Sequence, residues 1–253
     1  MIQGLEHFKN YFKNDTDKFI LIGGSATILS LESIGQSRNK GTKDLDLVFV
    51  IELLDKKFVN KFMDYIRFGG YETKIANGKS QFYRFQNPNS EEFPKMIEIL
   101  SRKPTIFNEI DLMKATKLTI SEEISSLSAL ILDDQYYQFV KDNSVMQNGI
   151  KIATMECLVI LKIRAYNDLK KKKELGKVDV KSEDIRKHKN DVFRLAQNFN
   201  TTQRVECTDY MKKDIMLFKS NLDNDSLNLQ SLHINGTVDE IIDLIYKVFS
   251  VLK

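Results

Sequence analysis

The spacing of apolar residues changes near residue 152, and this change limits the possible folds more than any other feature. Before it, short apolar runs typical of strands alternate with segments in which apolar residues recur every three or four positions. After it, only the helical spacing remains. We therefore expect an α+β fold, with a mixed sheet in a domain over 1–152 and a helical domain over 153–253.

Local signals place the individual elements within these two regions. The predicted strands are 19–22, 44–50, 71–75, 81–86, 96–100 and 127–132, and Asn148-Gly149 predicts a hairpin turn. The predicted helices are 25–35, 55–68, a segment around 133–140, 155–169 after Thr154, 182–199 with Ser182 as its cap, and segments near 206–220 and 237–252.

Composition limits the class of protein. Apolar residues make up 42% of the chain and charged residues 29%, which is ordinary for a soluble globular protein. No apolar stretch approaches the roughly 20 residues that cross a bilayer, so we expect no membrane partner. The first residues lack the layout of a signal peptide, and the isolated Cys157 and Cys207 are typical of a reducing compartment. We therefore expect a cytoplasmic location.

Charge gives a weaker indication of the partner. The net charge of +3 is too small to indicate a nucleic acid. Basic residues are nevertheless concentrated between Lys162 and Lys189, including the run 170–173. This cluster is compatible with a phosphate backbone, and the lysine run is equally compatible with a solvated end of a helix.

The first chemical feature is the turn Gly23-Gly24-Ser25, which joins an apolar strand to a helix. Adjacent glycines let the backbone turn tightly and let a ligand approach it. The start of the helix presents N–H groups and a positive dipole end, which favour phosphate. Many strand-to-helix turns contain two glycines for packing alone, so this turn is a weak indication when taken singly.

The second feature is a set of acidic residues in apolar strands. Asp44 and Asp46 alternate with leucine, so on a strand both carboxylates point to the same side. Two neighbouring carboxylates repel each other unless a cation lies between them, and Mg²⁺ prefers oxygen ligands. Glu98 lies alone in the apolar run 96–100, where a neighbouring strand would bring it beside the two aspartates. The alternatives are a polar loop for the aspartates and a solvent-facing edge strand for Glu98.

The helical half contains polar residues on apolar faces. Lys162 lies within the apolar stripe of its helix and must reach solvent or meet a negative partner, such as a nucleotide phosphate. In the next helix His188 lies in the stripe and Asp191 beside it, and a hydrogen-bonded core residue is the better interpretation of His188. The directions of Arg84 and Arg164 do not follow from the sequence.

The strings GGSATILSLESIG and KDLDLVF resemble the Gly-Gly/Ser and Asp-x-Asp signature of the DNA polymerase beta-like nucleotidyltransferase superfamily. More narrowly, the chain looks like the AbiEii-type toxins of abortive-infection and type IV toxin–antitoxin systems. In that family an arginine shortly precedes the aspartates, whereas Arg38 lies farther from Asp44. Glu98 stands where an aspartate is usual. A looser match in the helical half covers Lys162 and Asp191.

This resemblance implies a nucleotidyltransferase core whose active site is completed by the helical domain. Its metal ligands would be Asp44, Asp46 and Glu98, with two Mg²⁺ ions. Its nucleotide-binding residues would be Gly23, Gly24, Ser25, Lys162 and Asp191, and Lys162 would also be catalytic together with the three carboxylates. The substrate would be an NTP, and the acceptor would be an RNA hydroxyl such as the tRNA 3′ end. A cognate antitoxin would be a partner.

Two alternatives to this toxin remain open. One is an enzyme that transfers the nucleotide to a small hydroxylated molecule, such as an antibiotic. The other is a catalytically inactive nucleotide-binding module, which predicts that at least one of the three carboxylates is lost.

Overall fold

The computed structural model describes residues 2–36, 41–76, 79–102, 133–176, 180–222 and 227–251, with the backbone alone at 73–76 and 79–83. The chain divides into two compact units, Met1–Ala153 and Thr154–Lys253. This division lies one residue beyond the boundary expected from the sequence. The strand predicted at 127–132 and the position of Arg38 lie outside the described residues.

The first unit is built on a mixed sheet, which confirms the predicted α+β fold class. In the described part of the chain its strands are β1 Phe19–Ile22, β2 Asp44–Phe49, β3 Glu72–Ala76, β4 Lys79–Gln86, β5 Met96–Leu100, β6 Ser144–Gln147 and β7 Ile150–Ala153. Their order is β3-β4-β5-β2-β1-β7-β6. The β2–β5 and β1–β7 pairs are parallel, and the other neighbouring pairs are antiparallel.

The described helices of this unit are α1 Leu5–Tyr11, α2 Gly23–Glu32, α3 Lys56–Phe68 and α4 Asp134–Asp142. Helix α2 begins at Gly23, two residues before the predicted start, so the first glycine of the turn already belongs to the helix. Helix α3 begins where expected, because the side chain of Asp55 accepts a hydrogen bond from the Phe58 backbone N–H at 2.7 Å.

The predicted hairpin joins β6 to β7. Asn148 and Gly149 have φ angles of 51° and 79°, and positive φ at both central residues is the geometry of a two-residue type I′ turn. Gln147 pairs with Ile150 across this turn. The local Asn-Gly signal therefore located both strands.

The alternation in β2 gives the sheet two chemically different faces. Leu45, Leu47 and Phe49 occupy one face, where Phe49 packs against Phe58 and Phe62 of α3 with ring centroids 5.5 and 5.1 Å away. Phe58 and Phe62 also contact the ring of Phe12, which directly follows α1, so an aromatic core forms on this side. The aspartates of β2 therefore lie on the other face of the sheet.

The second unit is helical, with α5 Met155–Glu174, α6 Ser182–Ala196, α7 Asp209–Asn221 and α8 Val238–Val248 in its described residues. Thr154 caps α5 as predicted, accepting a hydrogen bond from the Cys157 backbone N–H at 3.3 Å. None of the helices in the described ranges of the chain combines the length and apolar character that crossing a membrane requires.

Two details of the helical prediction are wrong. Ser182 is not the cap of α6, because it is the first helical residue and Lys181 occupies the cap position. Its hydroxyl instead accepts a hydrogen bond from Lys173 Nζ at 2.6 Å. In α5, burial is not confined to the stripe that contains Lys162, because Ile160 and Leu161 lie outside it and are as buried as Leu158 and Val159 within it. A helix buried on several sides is a central helix rather than a surface one.

Candidate functional site

A row of directly opposed residues crosses four strands of the sheet. Ile22 of β1 pairs with Asp46 of β2, Asp46 pairs with Glu98 of β5, and Glu98 pairs with Arg84 of β4. Opposed residues of neighbouring strands point to the same face, about 4.8 Å apart. Asp44 lies two residues before Asp46 and shares that face. The register therefore brings the three predicted carboxylates together.

The predicted glycine turn touches this row at Asp46. Gly23 directly follows Ile22 and has a φ of +69°, a left-handed conformation that favours glycine. A Cβ atom at Gly23 would lie 1.8 Å from Oδ2 of Asp46. Any side chain at this position would collide with the carboxylate. The backbone at the start of α2 and the Asp46 side chain are therefore in close contact.

One buried hydroxyl group joins the start of α2 to β2, and a second bonds within the first turn of α2. Ser25 Oγ donates a hydrogen bond to the Asp44 carbonyl oxygen at 2.5 Å, and Thr27 Oγ1 donates to the Gly23 carbonyl oxygen at 2.7 Å. Because Ser25 uses its hydroxyl proton in this bond, its side chain positions the turn relative to Asp44. Its predicted contact with phosphate stays a prediction, as does that of the partly exposed Gly24.

Glu98 has a specific partner that the sequence did not identify. It is buried, with 5% of its surface exposed, and its Oε1 lies 2.6 Å from Nη2 of Arg84. A buried carboxylate needs such a partner, because an uncompensated charge in the interior is costly. The pairing depends on the antiparallel register of β4 and β5, for which the local sequence holds no signal.

The donor set can be tested against the magnesium ions that the resemblance implies. Asp44 and Asp46 offer carboxylate oxygens from one face of β2, the ligand type that Mg²⁺ prefers. Within the described residues, however, no group of three His, Cys, Asp or Glu side chains is arranged to hold a metal ion. Asp44 and Asp46 are of the ligand type for Mg²⁺, Glu98 Oε1 is engaged by Arg84, and the magnesium site of all three carboxylates stays a prediction.

Lys162 and Asp191, both predicted to bind nucleotide, pair with each other in the second unit. Lys162 Nζ lies 2.9 Å from Asp191 Oδ2, and both side chains are buried. Arg194 also approaches Asp191, with its Nη1 at 3.4 Å from Oδ1. The chain itself thus supplies the negative partner that the buried lysine requires. The nucleotide-binding roles of both residues stay predictions.

This unit also contains Arg164 and His188, two polar residues that the sequence singled out. Arg164 Nη1 binds both carboxylate oxygens of Asp214, at 3.0 and 3.3 Å, and its guanidinium lies over the Tyr210 ring. Burial raises the pKa of the neighbouring Asp168, an effect that Arg164 opposes. His188 is half-buried and its Nδ1 atom is enclosed, so its interpretation as a hydrogen-bonded core residue stays a prediction.

Models of protein families, curated proteins and solved structures contain no match to this chain. The family resemblance of the two motifs therefore stays a prediction. The structural features that bear on function are the row formed by Asp46, Glu98 and Arg84 and the turn at Gly23 that contacts it.

Proposed function

We propose that this chain is a nucleotidyltransferase that moves a nucleoside monophosphate from an NTP to an acceptor hydroxyl. The observation that supports this most directly is the direct opposition of Asp46 and Glu98 in β2 and β5, with Asp46 against the backbone of Gly23. Carboxylates beside a glycine-containing helix start meet two needs of this reaction, a cation site and a phosphate site.

Each residue of this site has a proposed role. Asp44 and Asp46 would hold the ions, and backbone N–H groups at Gly23 and Gly24 would bind the phosphates. Bound magnesium would neutralise the triphosphate and lower the pKa of the acceptor hydroxyl. Glu98 would accept the proton of that hydroxyl as its oxygen bonds to the α-phosphorus and pyrophosphate leaves. Lys162 and Asp191 belong to this proposal on the resemblance alone.

The proposed acceptor is RNA, with the tRNA 3′ end as the first case to test, and the proposed biological role is that of a toxin held in check by an antitoxin. The family resemblance suggests both. The basic residues between Lys162 and Lys189 add electrostatic support for an RNA acceptor.

The deciding experiment is incubation of the protein with each radiolabelled NTP, Mg²⁺ and total tRNA. The wild type should transfer label to tRNA. Asp46→Asn should lower the rate of transfer more than about a hundredfold. Loss of a residue that only hydrogen-bonds to a metal ligand already lowers activity about 10–100-fold, and Asp46 is proposed to be a ligand itself. Asp64→Asn makes the same chemical change at an exposed position of α3 and should transfer at the wild-type rate. Thermal unfolding of both variants checks that they are folded.

The possible outcomes separate the proposed reaction from its competitors. Label that moves only to small hydroxylated molecules favours the antibiotic-modifying alternative. Nucleotide binding without transfer favours an inactive binding module. The ion pair between Arg84 and Glu98 supports that last alternative, because it engages the third carboxylate. Equal transfer by the wild type and Asp46→Asn would remove Asp46 from the mechanism.

A further inference from the structure

A basic cavity lies within the second unit, between the end of α5 and the start of α6. Its volume is about 430 Å³, which is within the range of sites for small ligands. It is lined by Tyr166, Lys170, Lys173, Ser182, Glu183, Ile185, Arg186 and Lys189. Four of these side chains are cationic and one is a carboxylate, so the lining carries a positive surplus.

The cations form two facing rows. Lys170 and Lys173 are three residues apart on α5, and Arg186 and Lys189 are three residues apart on α6. Residues at this spacing share one face of a helix, and three residues advance about 4.5 Å along its axis. Positive charges at this spacing match a ligand whose negatively charged groups are separated by similarly short distances. Linked phosphates have that arrangement.

The contacts of the α5 lysines leave their charges largely uncancelled. Lys170 Nζ donates to the Asn221 carbonyl oxygen, and Lys173 Nζ donates to the hydroxyl of Ser182. Both acceptors are neutral, so they orient the ammonium groups without neutralising them. Lys189 is buried, with 4% of its surface exposed, and lies at the inner side of the lining.

The start of α6 adds to the attraction for anions. Ser182 and Glu183 belong to its first turn, and the side chain of its cap residue, Lys181, makes no capping hydrogen bond. Uncapped N–H groups and the positive end of the helix dipole favour phosphate groups. Glu183 opposes this effect with its carboxylate, and it is exposed.

We propose that this cavity binds a small ligand that carries two or more linked phosphates. Arg186 and Lys173 would contact the phosphates from opposite helices, and Lys189 would lie at the buried end. The proposal stands independently of the nucleotidyltransferase activity, because every residue that carries it belongs to α5 and α6. It commits to a small ligand rather than RNA, because a volume of about 430 Å³ is that of a small-ligand site.

The test is isothermal titration of the full-length protein with sodium tripolyphosphate in the presence of EDTA. The wild type should bind it. Lys173→Gln with Arg186→Gln should weaken binding at least about tenfold, because charge-assisted hydrogen bonds contribute at least that much each. Lys171→Gln is the matched control, since it removes a charge from the same lysine run at an exposed residue outside the lining. It should bind with wild-type affinity.

A third variant reverses the sign of the expected effect. Glu183→Gln removes the carboxylate from the lining and should strengthen binding severalfold, because a like charge near the ligand is lost. Asp46→Asn should bind tripolyphosphate as the wild type does even if it has lost transfer activity, which separates this proposal from the proposed function.

Three results would overturn the assignment. They are no binding of tripolyphosphate, equal affinity of the wild type and the Lys173→Gln, Arg186→Gln variant, or weaker binding by Glu183→Gln. A short RNA that binds through Arg186 while tripolyphosphate does not would replace the small ligand with a nucleic-acid backbone.

Discussion

Two ion pairs of this chain differ in how far solvent reaches them. The side chains of Lys162 and Asp191 are 5% and 0% exposed, whereas that of Arg84 is 17% exposed beside Glu98. The side chain of Glu98 is 7% exposed, so the Lys162 pair is the more enclosed of the two. An enclosed ion pair is costly to break, because removal of one partner leaves the other charge buried.

We expect the buried Lys162 pair to be strongly coupled in stability. Lys162→Met should lower the free energy of unfolding by about 3–5 kcal/mol, because it leaves Asp191 charged and uncompensated in the interior. Lys162→Met with Asp191→Leu should regain most of that loss, since both charges are then absent. Chemical denaturation of the two single variants and the double variant measures the coupling.

A single variant Lys162→Met with unchanged stability would contradict this interpretation. A double variant that is stable but has lost nucleotidyl transfer would support the predicted nucleotide-binding roles of Lys162 and Asp191.

The two cysteines should react slowly in the folded chain. Burial raises the pKa of Cys207 from 9.0 to about 11; Lys212 lowers this pKa by a smaller amount and Asp209 raises it. Its reactive thiolate at pH 8 should therefore be roughly a hundredfold scarcer than in the unfolded chain. Labelling with a chromogenic disulfide should be slow at pH 8, accelerate as the pH rises towards 11, and become fast in guanidinium.

Cys157 is fully buried, and burial also raises the pKa of its thiol. It should react only after unfolding, and a Cys207→Ser variant assigns the two phases. Rapid labelling of both thiols in the native protein would contradict the burial of Cys157 and Cys207.

At the scale of single elements, capping side chains mark the starts of four helices. Asp55, Thr154, Thr208 and Thr237 each accept a hydrogen bond from a backbone N–H of the following helix. Such caps act over three residues, so the local sequence contains the whole signal. Ser182 is the exception, because its hydroxyl pairs with Lys173 of another helix.

The capping box of α8 gives a quantitative prediction for an element. Thr237 Oγ1 accepts a hydrogen bond from the Glu240 backbone N–H at 3.2 Å, and the Glu240 carboxylate accepts one from the Thr237 backbone N–H at 2.7 Å. Thr237→Ala should lower the free energy of unfolding by about 1 kcal/mol. Thr201→Ala changes an exposed threonine that caps no helix and should leave stability within about 0.5 kcal/mol of the wild type. Equal effects of both substitutions in chemical denaturation would argue against the cap.

At the scale of the whole molecule, the net charge of +3 conceals an uneven distribution. In the first unit, Asp44, Asp46 and Glu98 share one face of the sheet, and Arg84 offsets one of their charges. In the second unit, the cavity between α5 and α6 has a cationic lining. Each unit considered separately therefore has a charge preference that the total does not reveal.

Expression in a bacterial host tests the proposed role of the whole protein. The wild type should arrest growth if it modifies RNA as proposed, and Asp46→Asn should relieve the arrest because nucleotidyl transfer is lost. Equal protein levels on a blot are the control. Growth arrest by both the wild type and Asp46→Asn would show that toxicity does not depend on Asp46. Normal growth with both proteins would argue against a toxin.

Patterns within a few residues predicted much of this fold. The alternation at Asp44-Leu45-Asp46-Leu47 predicted strand β2 and its mixed faces, the Asn148-Gly149 pair predicted the hairpin, and the loss of strand spacing near residue 152 predicted the helical unit. Each of these signals spans only a few residues, because a strand repeats every 2 residues, a helix repeats about every 3.6 residues, and a hairpin turn needs only two.

Between distant residues, the sequence predicted that Glu98 lies beside the two aspartates, but it did not predict the strand register or the partners Arg84 and Asp191. The register of β2 against β5 sets Asp46 opposite Glu98, 52 residues later in the sequence, and the register of β4 selects Arg84 as the partner of Glu98. Likewise, Lys162 meets Asp191 through the packing of two helices. Residue types and periods restrict which side chains share a face, but the folded chain selects the partners, because packing of the complete core determines strand order and register.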